Sequence, residues 1–271
     1  ATRIEPPLHP EGPEKIVIDF GIEPEELKEQ ELISWYDRYE PTQETTEGVF
    51  APWAIMRQDF EGVNGHDKLF RPQSKEDSDI FNRLQLNGIK FIQTWEGLVY
   101  HMTSRGSRFN PYSGGAPGKD SPEWIHTTTK NTKEFVRKWG SSIEHDKHMK
   151  PIVSPKYDIM FNLTDDCPFD ILHAIEPFCS RLWTPNQEIC DLYIKENQEF
   201  TDIDLKEKFS DIESRDIEVR FNPKTMSQDS WNIIQQLPKI IQDSGEEGET
   251  FELDIFEIMI NKMKTYEKEL I

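Results

Sequence analysis

The stretch KEDSDIFNR at residues 75–83, with Gly88 a few positions further on, decides how this part of the chain folds. Ser74 and the acid Asp77 three positions later form a helix-capping pattern. Gly88 has the position of the left-handed residue that commonly ends a helix. The stretch therefore predicts a capped helix that ends at Gly88, and many ordinary helices begin in the same way.

One acid of this predicted helix points in an unexpected direction. At about 100° per residue, Asp77 falls in the middle of the helix's apolar stripe, which consists of Ile80, Phe81 and Leu84. An acid aimed along a buried face costs free energy unless something at that face uses it. Asp77 is therefore the first candidate for a functional residue.

The neighbouring acids fall on the flank of the same helix. Glu76 and Asp79 both lie to the side of the apolar stripe. Asp79 and Arg83 are four residues apart, so they can form an ordinary ion pair along the helix surface.

Two strands are predicted after the helix. Residues 89–93 alternate between apolar and polar, and residues 98–101 form a second strand that ends in His101. The loop that follows contains Arg105 and Arg108, whose guanidinium groups can hold an anionic group such as a phosphate. A histidine with a satisfied ring and a solvated connecting loop are the ordinary alternatives.

Taken in order, these residues resemble the second half of a family 2 glycosyltransferase with the type-A fold. The matching pieces are GVFA at 48–51, Arg57, VNGHD at 63–67, EDSD at 76–79, Arg83, Gly88 and VYH at 99–101. Each piece alone is weak, but their common order and spacing make the match more specific.

The resemblance implies chemical roles for the residues that match. The Glu76-Asp77 pair would be catalytic, with Asp77 as the base that deprotonates the acceptor hydroxyl. His101 would be a ligand for a divalent ion, Mn²⁺ or Mg²⁺, on the diphosphate of a nucleotide-sugar donor. Arg105 and Arg108 would then bind near that diphosphate.

The resemblance also implies a substrate side of the site. The segment around Gly65 and Asp67 resembles an acceptor-side loop, so Asp67, Trp53 and Asp79 are candidates for substrate contacts. The implied reaction is a metal-assisted displacement with inversion, and the acceptor is a glycan or another hydroxyl compound.

The chain departs from this family before Gly48. Only 47 residues precede it, which are read as a Pro-rich loop, a strand at 16–18 and a charged helix at 24–36. One βαβ unit alone needs about 30 residues or more, and no Asp-x-Asp motif precedes the Glu-Asp pair. We therefore expect a partial type-A (Rossmann-like) α/β domain whose nucleotide-binding half is missing or lies on a partner chain. The alternative is a catalytically inactive interaction module that retains the fold.

Composition restricts the partners. The chain has 271 residues and a formal net charge of −20, which argues against nucleic acid because its phosphates would be repelled. No apolar run approaches the roughly 18 residues of a membrane span, and no signal peptide is recognised. The three cysteines favour a reducing compartment over a disulfide framework, so the expected location is cytoplasmic.

The pattern predicts two domains, at residues 1–150 and 151–271. In the first, residues 104–122 are rich in Gly, Ser and Pro and are expected to be a flexible loop, either a lid or an idle linker. A helix is predicted to begin at Pro122 and to stop at Gly140, with Trp139 in the core.

The second domain is predicted as a small α/β accessory module. Its expected elements are strands at 158–163, 181–183 and 217–221, helices at 169–178 and 231–241, and a charged final segment at 249–271. Asp165 and Asp166 are interpreted as acids that cap the helix at 169.

Overall fold

A computed structural model describes residues 1–8, 11–102, 107–116, 118–209 and 215–271 of the chain. The strands are β1 (Thr2–Glu5), β2 (Lys15–Val17), β3 (Thr45–Thr46), β4 (Gln93–Thr94), β5 (Leu98–Tyr100), β6 (Ile159–Leu163), β7 (Arg181–Trp183), β8 (Ile217–Phe221), β9 (Thr250–Leu253) and β10 (Phe256–Ile260). The helices are α1 (Glu29–Tyr36), α2 (Arg57–Gly62), α3 (Glu76–Leu86), α4 (Pro122–Trp139), α5 (Phe169–Ile175), α6 (Gln187–Asn197), α7 (Leu205–Lys208) and α8 (Gln228–Ser244). The predicted α/β class is confirmed at this level.

The chain divides into two compact units. Unit 1 comprises Ala1–His66, Asp77–Thr129 and Glu144–Ile152, and unit 2 comprises Asp67–Glu76, Lys130–Ile143 and Val153–Ile271. Within the described ranges, none of the helices has both the length and the apolar character needed to cross a lipid bilayer.

Unit 1 contains a parallel sheet in which β1 is the central strand, between β2 and β5. In its register, Ile4 pairs with Ile16 on one side and with Tyr100 on the other. All the residues of β1 are buried, as expected for the middle strand of a covered parallel sheet. The first residues were interpreted as a Pro-rich loop, which is wrong for β1. The strand was not recognised because its sequence, TRIE, is short and charged and lacks the alternation of apolar residues that indicates a strand.

Helix α3 ends as predicted, but it begins differently. Gly88 has a φ of 79°, and the N–H of Ile89 donates to the Leu84 carbonyl over 3.0 Å, which is the left-handed ending expected at this glycine. At the other end, Ser74 and Lys75 both have positive φ, and Lys75 stands directly before the helix. Ser74 is therefore one position too early to be the residue that immediately precedes α3.

Two further predictions in unit 1 were too long. The strand expected at 89–93 is reduced to β4, because only Gln93 and Thr94 meet a neighbouring strand, β3. The charged helix expected at 24–36 is a 3-10 turn at Pro24–Glu26 followed by α1. Helix α4, in contrast, begins at Pro122 and ends before Gly140, which has a φ of 73°, as predicted.

Unit 2 is built around a five-stranded mixed sheet with the order β7-β6-β8-β10-β9. Strand β6 runs parallel to β7 and β8, whereas β10 runs antiparallel to β8 and β9. The predicted strands at 158–163, 181–183 and 217–221 are confirmed as β6, β7 and β8. The helices predicted at 169–178 and 231–241 correspond to α5 with a following 3-10 turn and to the longer α8.

The final segment contains structure that the charge pattern hid. The segment 249–271, expected to be a charged final segment, contains the hairpin of β9 and β10, which turns at Asp254 with a φ of 53°. Along β10, Phe256, Ile258 and Ile260 are buried and alternate with the exposed Glu257 and Met259. Buried apolar residues thus alternate with exposed residues, as expected for a strand that is covered on one face.

The acids before α5 were assigned the wrong role. The residue preceding α5 is Pro168, which makes no side-chain cap. Asp165 instead pairs with Lys224 over 2.9 Å, which joins the chain after β6 to the chain after β8. Asp165 therefore connects two strand ends rather than capping a helix.

Within unit 2, a buried ionic cluster joins the last part of α4 to the segment after α5. Glu176 is fully buried and lies 2.7 Å from Arg137, 2.7 Å from Lys208 and 2.8 Å from the Tyr193 hydroxyl. Arg137 also pairs with the buried Glu134. Burial alone would raise the pKa of Glu176, but Lys208 and Arg137 outweigh it and hold the pKa far below the usual range.

We expect Glu176→Gln to lower the free energy of unfolding by about 3–5 kcal/mol, since it leaves Lys208 buried without its counter-charge and Arg137 with only Glu134. Urea unfolding measures the change. The control is Arg57→Ala, which breaks an exposed pair with Glu61 and should cost less than about 1 kcal/mol. An equal, small effect of both substitutions would contradict this view of the cluster.

Candidate functional site

Helix α3 is anchored in unit 1 by a buried ion pair. Arg83 donates from Nε and Nη2 to the same oxygen of Asp79 over 2.9 and 2.7 Å. It also donates from Nη1 to the Val63 carbonyl. Asp79 is fully buried and Arg83 nearly so. The predicted pair is confirmed, but its expected position on a solvated flank is wrong.

The burial of Asp79 also bears on its candidate role as a substrate contact. Its carboxylate is closed off from water, and Arg83 occupies it. The structure therefore assigns Asp79 to the packing of α3 rather than to a sugar. Helical spacing identified the pair, but it could not show which face of α3 the rest of the unit covers.

Asp77 lies close to the start of α3 and is half-buried. Burial raises its pKa above the usual range of an aspartate, while the charge of His66 and a hydrogen bond from Trp53 act in the opposite direction. Asp77 and Trp53, two residues proposed from the sequence, are thus brought together. A carboxylate with a raised pKa is a stronger base than an ordinary aspartate.

The loop after α2 brings His66 to this acid. Asn64 and Gly65 both have left-handed backbone, with φ of 62° and 64°. A side chain at position 65 would come within 2.9 Å of the Phe60 ring, so glycine is required there. The His66 ring lies 5.7 Å from Phe60 and 6.1 Å from Trp53, measured between ring centroids. Sequence reasoning missed His66, although it lies inside the VNGHD piece of the resemblance.

A small cavity of about 100 Å³ opens beside Trp53. Its walls include Trp53, Val49, Phe50, Phe81 and Phe91. Trp53 therefore both lines the cavity and donates a hydrogen bond to the Asp77 carboxylate. An aromatic ring next to a carboxylate of raised pKa is an arrangement that can hold a ring-shaped hydroxyl compound close to a base.

His101 belongs to a second cluster, at the carboxyl ends of β1 and β5. Its Nδ1 lies 2.7 Å from Glu5. Glu5 also pairs with Arg3 and Lys15, each over 3.0 Å. Burial would raise the pKa of Glu5, but the His101 hydrogen bond and the charges of Arg3 and Lys15 outweigh it and lower the pKa to about 2.

This low pKa determines the state of the histidine ring. A charged carboxylate only accepts hydrogen bonds, so Nδ1 of His101 carries the proton that is donated to Glu5. The His101 side chain is 47% exposed, and Nε2 is the ring nitrogen that does not bond to Glu5. Sequence reasoning missed Glu5, whose strand was not recognised.

Three further candidates from the sequence, Arg108, Asp67 and Glu76, belong to neither the Asp77–Trp53 group nor the His101–Glu5 cluster. Arg108 pairs with Asp120, with Nε 2.6 Å and Nη2 3.4 Å from its carboxylate oxygens. Asp67 belongs to unit 2, where it accepts from the Leu69 N–H and pairs with Lys138 over 2.8 Å. Glu76, the half-buried first residue of α3, also belongs to unit 2.

Two of the sequence-based expectations concern ligands. Arg105 lies outside the described residues. In the part of the chain that the structure covers, no group of three or more His, Cys, Asp or Glu side chains is arranged to hold a metal ion. The His101–Glu5 pair is the arrangement closest to the expected metal position.

Comparison with protein-family models, with curated proteins and with solved structures found no match for this chain.

Replacing Trp53 with Phe should raise the pKa of Asp77 further, since the ring is kept but the hydrogen-bond donor is lost. The carboxyl carbon resonance of Asp77, followed by NMR through an acid titration, measures this. His145→Ala, which removes an exposed histidine outside the group that acts on Asp77, should leave the midpoint unchanged. If the titration midpoint of Asp77 in Trp53→Phe is equal to or lower than that of the wild type, the hydrogen bond from Trp53 does not form.

Glu5→Gln should lower stability at pH 6 by about 3 kcal/mol, because Arg3 and Lys15 lose their closest partner and keep only the longer contacts with Glu14, at 3.6 and 3.9 Å. Since the pKa of Glu5 is lowered on folding, its contribution is complete above the unfolded value near 4.3 and is lost as pH falls towards about 2. The stability gap between wild type and variant should therefore close over that range. Urea unfolding at a series of pH values tests this, with the exposed Glu40→Gln as control. A gap that is the same at every pH would rule out the charged pairing.

Proposed function

We propose that this chain is a glycosyltransferase, or the acceptor-side portion of one, that transfers a sugar from a nucleotide-diphosphate donor to a hydroxyl acceptor. The observation that supports this most is the position of Asp77. It is half-buried, its pKa is raised, and it is hydrogen-bonded by an aromatic residue that also lines a cavity. The ordered resemblance of residues 48–101 to type-A family 2 enzymes supports the same reaction class.

In this proposal Asp77 is the general base. An acceptor hydroxyl beside it loses its proton to the carboxylate as the oxygen attacks the anomeric carbon, and the donor diphosphate leaves. Attack opposite to the leaving group inverts the configuration at that carbon. Trp53 has two tasks, to orient the carboxylate through its N–H and to offer a ring face to the acceptor.

His66 is a positioning residue in the same proposal. Its charge favours the ionised form of Asp77, whereas burial favours the neutral form. The two effects oppose each other, so the carboxylate stays available as a base near neutral pH while its pKa remains above that of an ordinary aspartate. Proton transfer is most effective when the pKa of the base approaches the working pH.

The residues around His101 fit one ligand position for a divalent ion, Mn²⁺ or Mg²⁺. Glu5 holds Nδ1 of the ring and leaves Nε2 for a ligand, as carboxylates behind metal-binding histidines do. Such an ion, when bound, neutralises charge on the leaving diphosphate. Arg108 would contribute to the same task after exchanging Asp120 for phosphate oxygens, which are also bound bidentately.

The proposal can be tested with the whole chain, uridine and guanosine diphosphate sugars, and Mn²⁺. Thermal melting should show a saturable rise in Tm with one donor. His101→Ala should reduce the Mn²⁺-dependent part of that rise, whereas the exposed His145→Ala should not. Release of nucleotide diphosphate in the presence of acceptors should fall by about 10²–10⁴-fold in Asp77→Asn, with donor binding kept.

Asp37→Asn, at an exposed acid after α1, is the matched control for the base and should keep full activity. No response of the wild type to any nucleotide sugar would contradict the enzyme proposal and favour the non-catalytic interaction module. A response that Asp77→Asn leaves unchanged in rate would remove Asp77 as the base.

A further inference from the structure

Three side chains of unit 2 form a hydrogen-bonded line that the proposed reaction does not use. Lys133 of α4 places Nζ 2.7 Å from Nδ1 of His173, which lies on α5. The other ring nitrogen of His173 lies 3.3 Å from Nδ2 of Asn197, at the end of α6. Lys133 and His173 are half-buried and Asn197 is buried, so the line runs from the surface inward.

The inner end of the line has a fixed orientation. Nδ2 of Asn197 lies 2.9 Å from the Tyr193 carbonyl, which only accepts hydrogen bonds. The amide must therefore place its nitrogen there, since its own oxygen would be repelled. The same Nδ2 donates to Nε2 of His173, so Nε2 carries no proton.

The state of the imidazole fixes the state of the lysine. A neutral imidazole without a proton on Nε2 carries it on Nδ1, which then donates to Nζ of Lys133. An ammonium group has no lone pair and cannot accept this bond. The chain of donors and acceptors is therefore complete only when Lys133 is a neutral amine.

The surroundings of Lys133 favour the neutral amine more than those of an ordinary lysine do. Burial lowers its pKa to about 8, against the effect of Glu176, while Arg137 lowers it further and Glu134 raises it. The charge of Glu176 is already taken up by Arg137 and Lys208. Burial also lowers the pKa of His173, against the effect of the nearby Glu196, and so favours a neutral imidazole.

Aromatic rings surround the same place. The His173 ring lies 4.9 Å from Phe169 and 4.8 Å from Tyr193, between ring centroids. Nζ of Lys133 lies 5.6 Å from the centroid of Tyr193. A flat, apolar group attached to a carbonyl would find ring faces and edges next to the amine.

We propose that Lys133 is a reactive amine that forms an imine with aromatic aldehydes. The Nζ lone pair attacks the carbonyl carbon, the C–N bond forms, and the carbonyl π electrons move to oxygen. The oxygen leaves as water with both protons of the amine, which gives the C=N bond without any oxidant or reductant. His173 and Asn197 are positioning residues that keep the amine neutral.

The test uses the whole chain, benzaldehyde and cyanoborohydride at pH 7, with peptide mass spectrometry to locate the benzylated lysines. The control within the same molecule is Lys195, an exposed lysine on α6. We expect Lys133 to be labelled at least about tenfold faster than Lys195, since far more of it is neutral at pH 7. Equal or slower labelling of Lys133 would overturn the proposal, and this comparison needs no variant.

A nearly isosteric variant tests the positioning residues. Asn197→Asp replaces the donor with an acceptor, so Nε2 of His173 takes the proton and Nδ1 becomes an acceptor for an ammonium. Labelling of Lys133 at pH 7 should then fall about tenfold, and its pH profile should move upwards, with Lys195 unchanged. An unchanged profile in a variant that melts like the wild type would overturn the tautomer assignment.

Discussion

Burial of charge is the constraint on which this structure depends. A buried carboxylate is tolerated only when a cation and hydrogen bonds compensate it. Among the buried carboxylates of the described residues, those of Asp79, Glu5 and Glu176 meet this condition. Asp79 fixes α3, and Glu5 fixes the ends of the strands in the parallel sheet of unit 1. Glu176 fixes α4 to the segment after α5.

The local elements were predictable because their signals are local. Gly88 and Gly140 each follow the apolar stripe of a predicted helix, a position at which a left-handed glycine commonly ends the helix. Both have positive φ, and α3 and α4 end just before them. Strand β8 alternates over its whole length, with Ile217, Val219 and Phe221 buried. Asp77 was identified from helical spacing alone, and the structure places it half-buried next to Trp53.

The errors arise where distant segments supply the partner. Strand β1 consists largely of polar and charged residues, and Glu5 is buried because Arg3, Lys15 and His101 surround it. Asp79 was expected on a flank because helical spacing does not show what covers a helix. The β10 strand alternates as β8 does, but the charge of the segment 249–271 hid it. The burial of Glu5 and Asp79 depends on segments that lie outside a window of neighbouring residues.

The Asp79–Arg83 pair fixes which face of α3 is covered by the rest of unit 1. Asp77 precedes this pair on the same helix and is only half-buried. The most direct measurement follows the Asp77 carboxyl carbon and the Trp53 indole N–H of the wild-type chain together by NMR as the pH is lowered. We expect both signals to change with one common midpoint, above the usual range of an aspartate. An indole signal that does not respond, or a midpoint at or below that range, would contradict the assignment of Asp77 as a half-buried base.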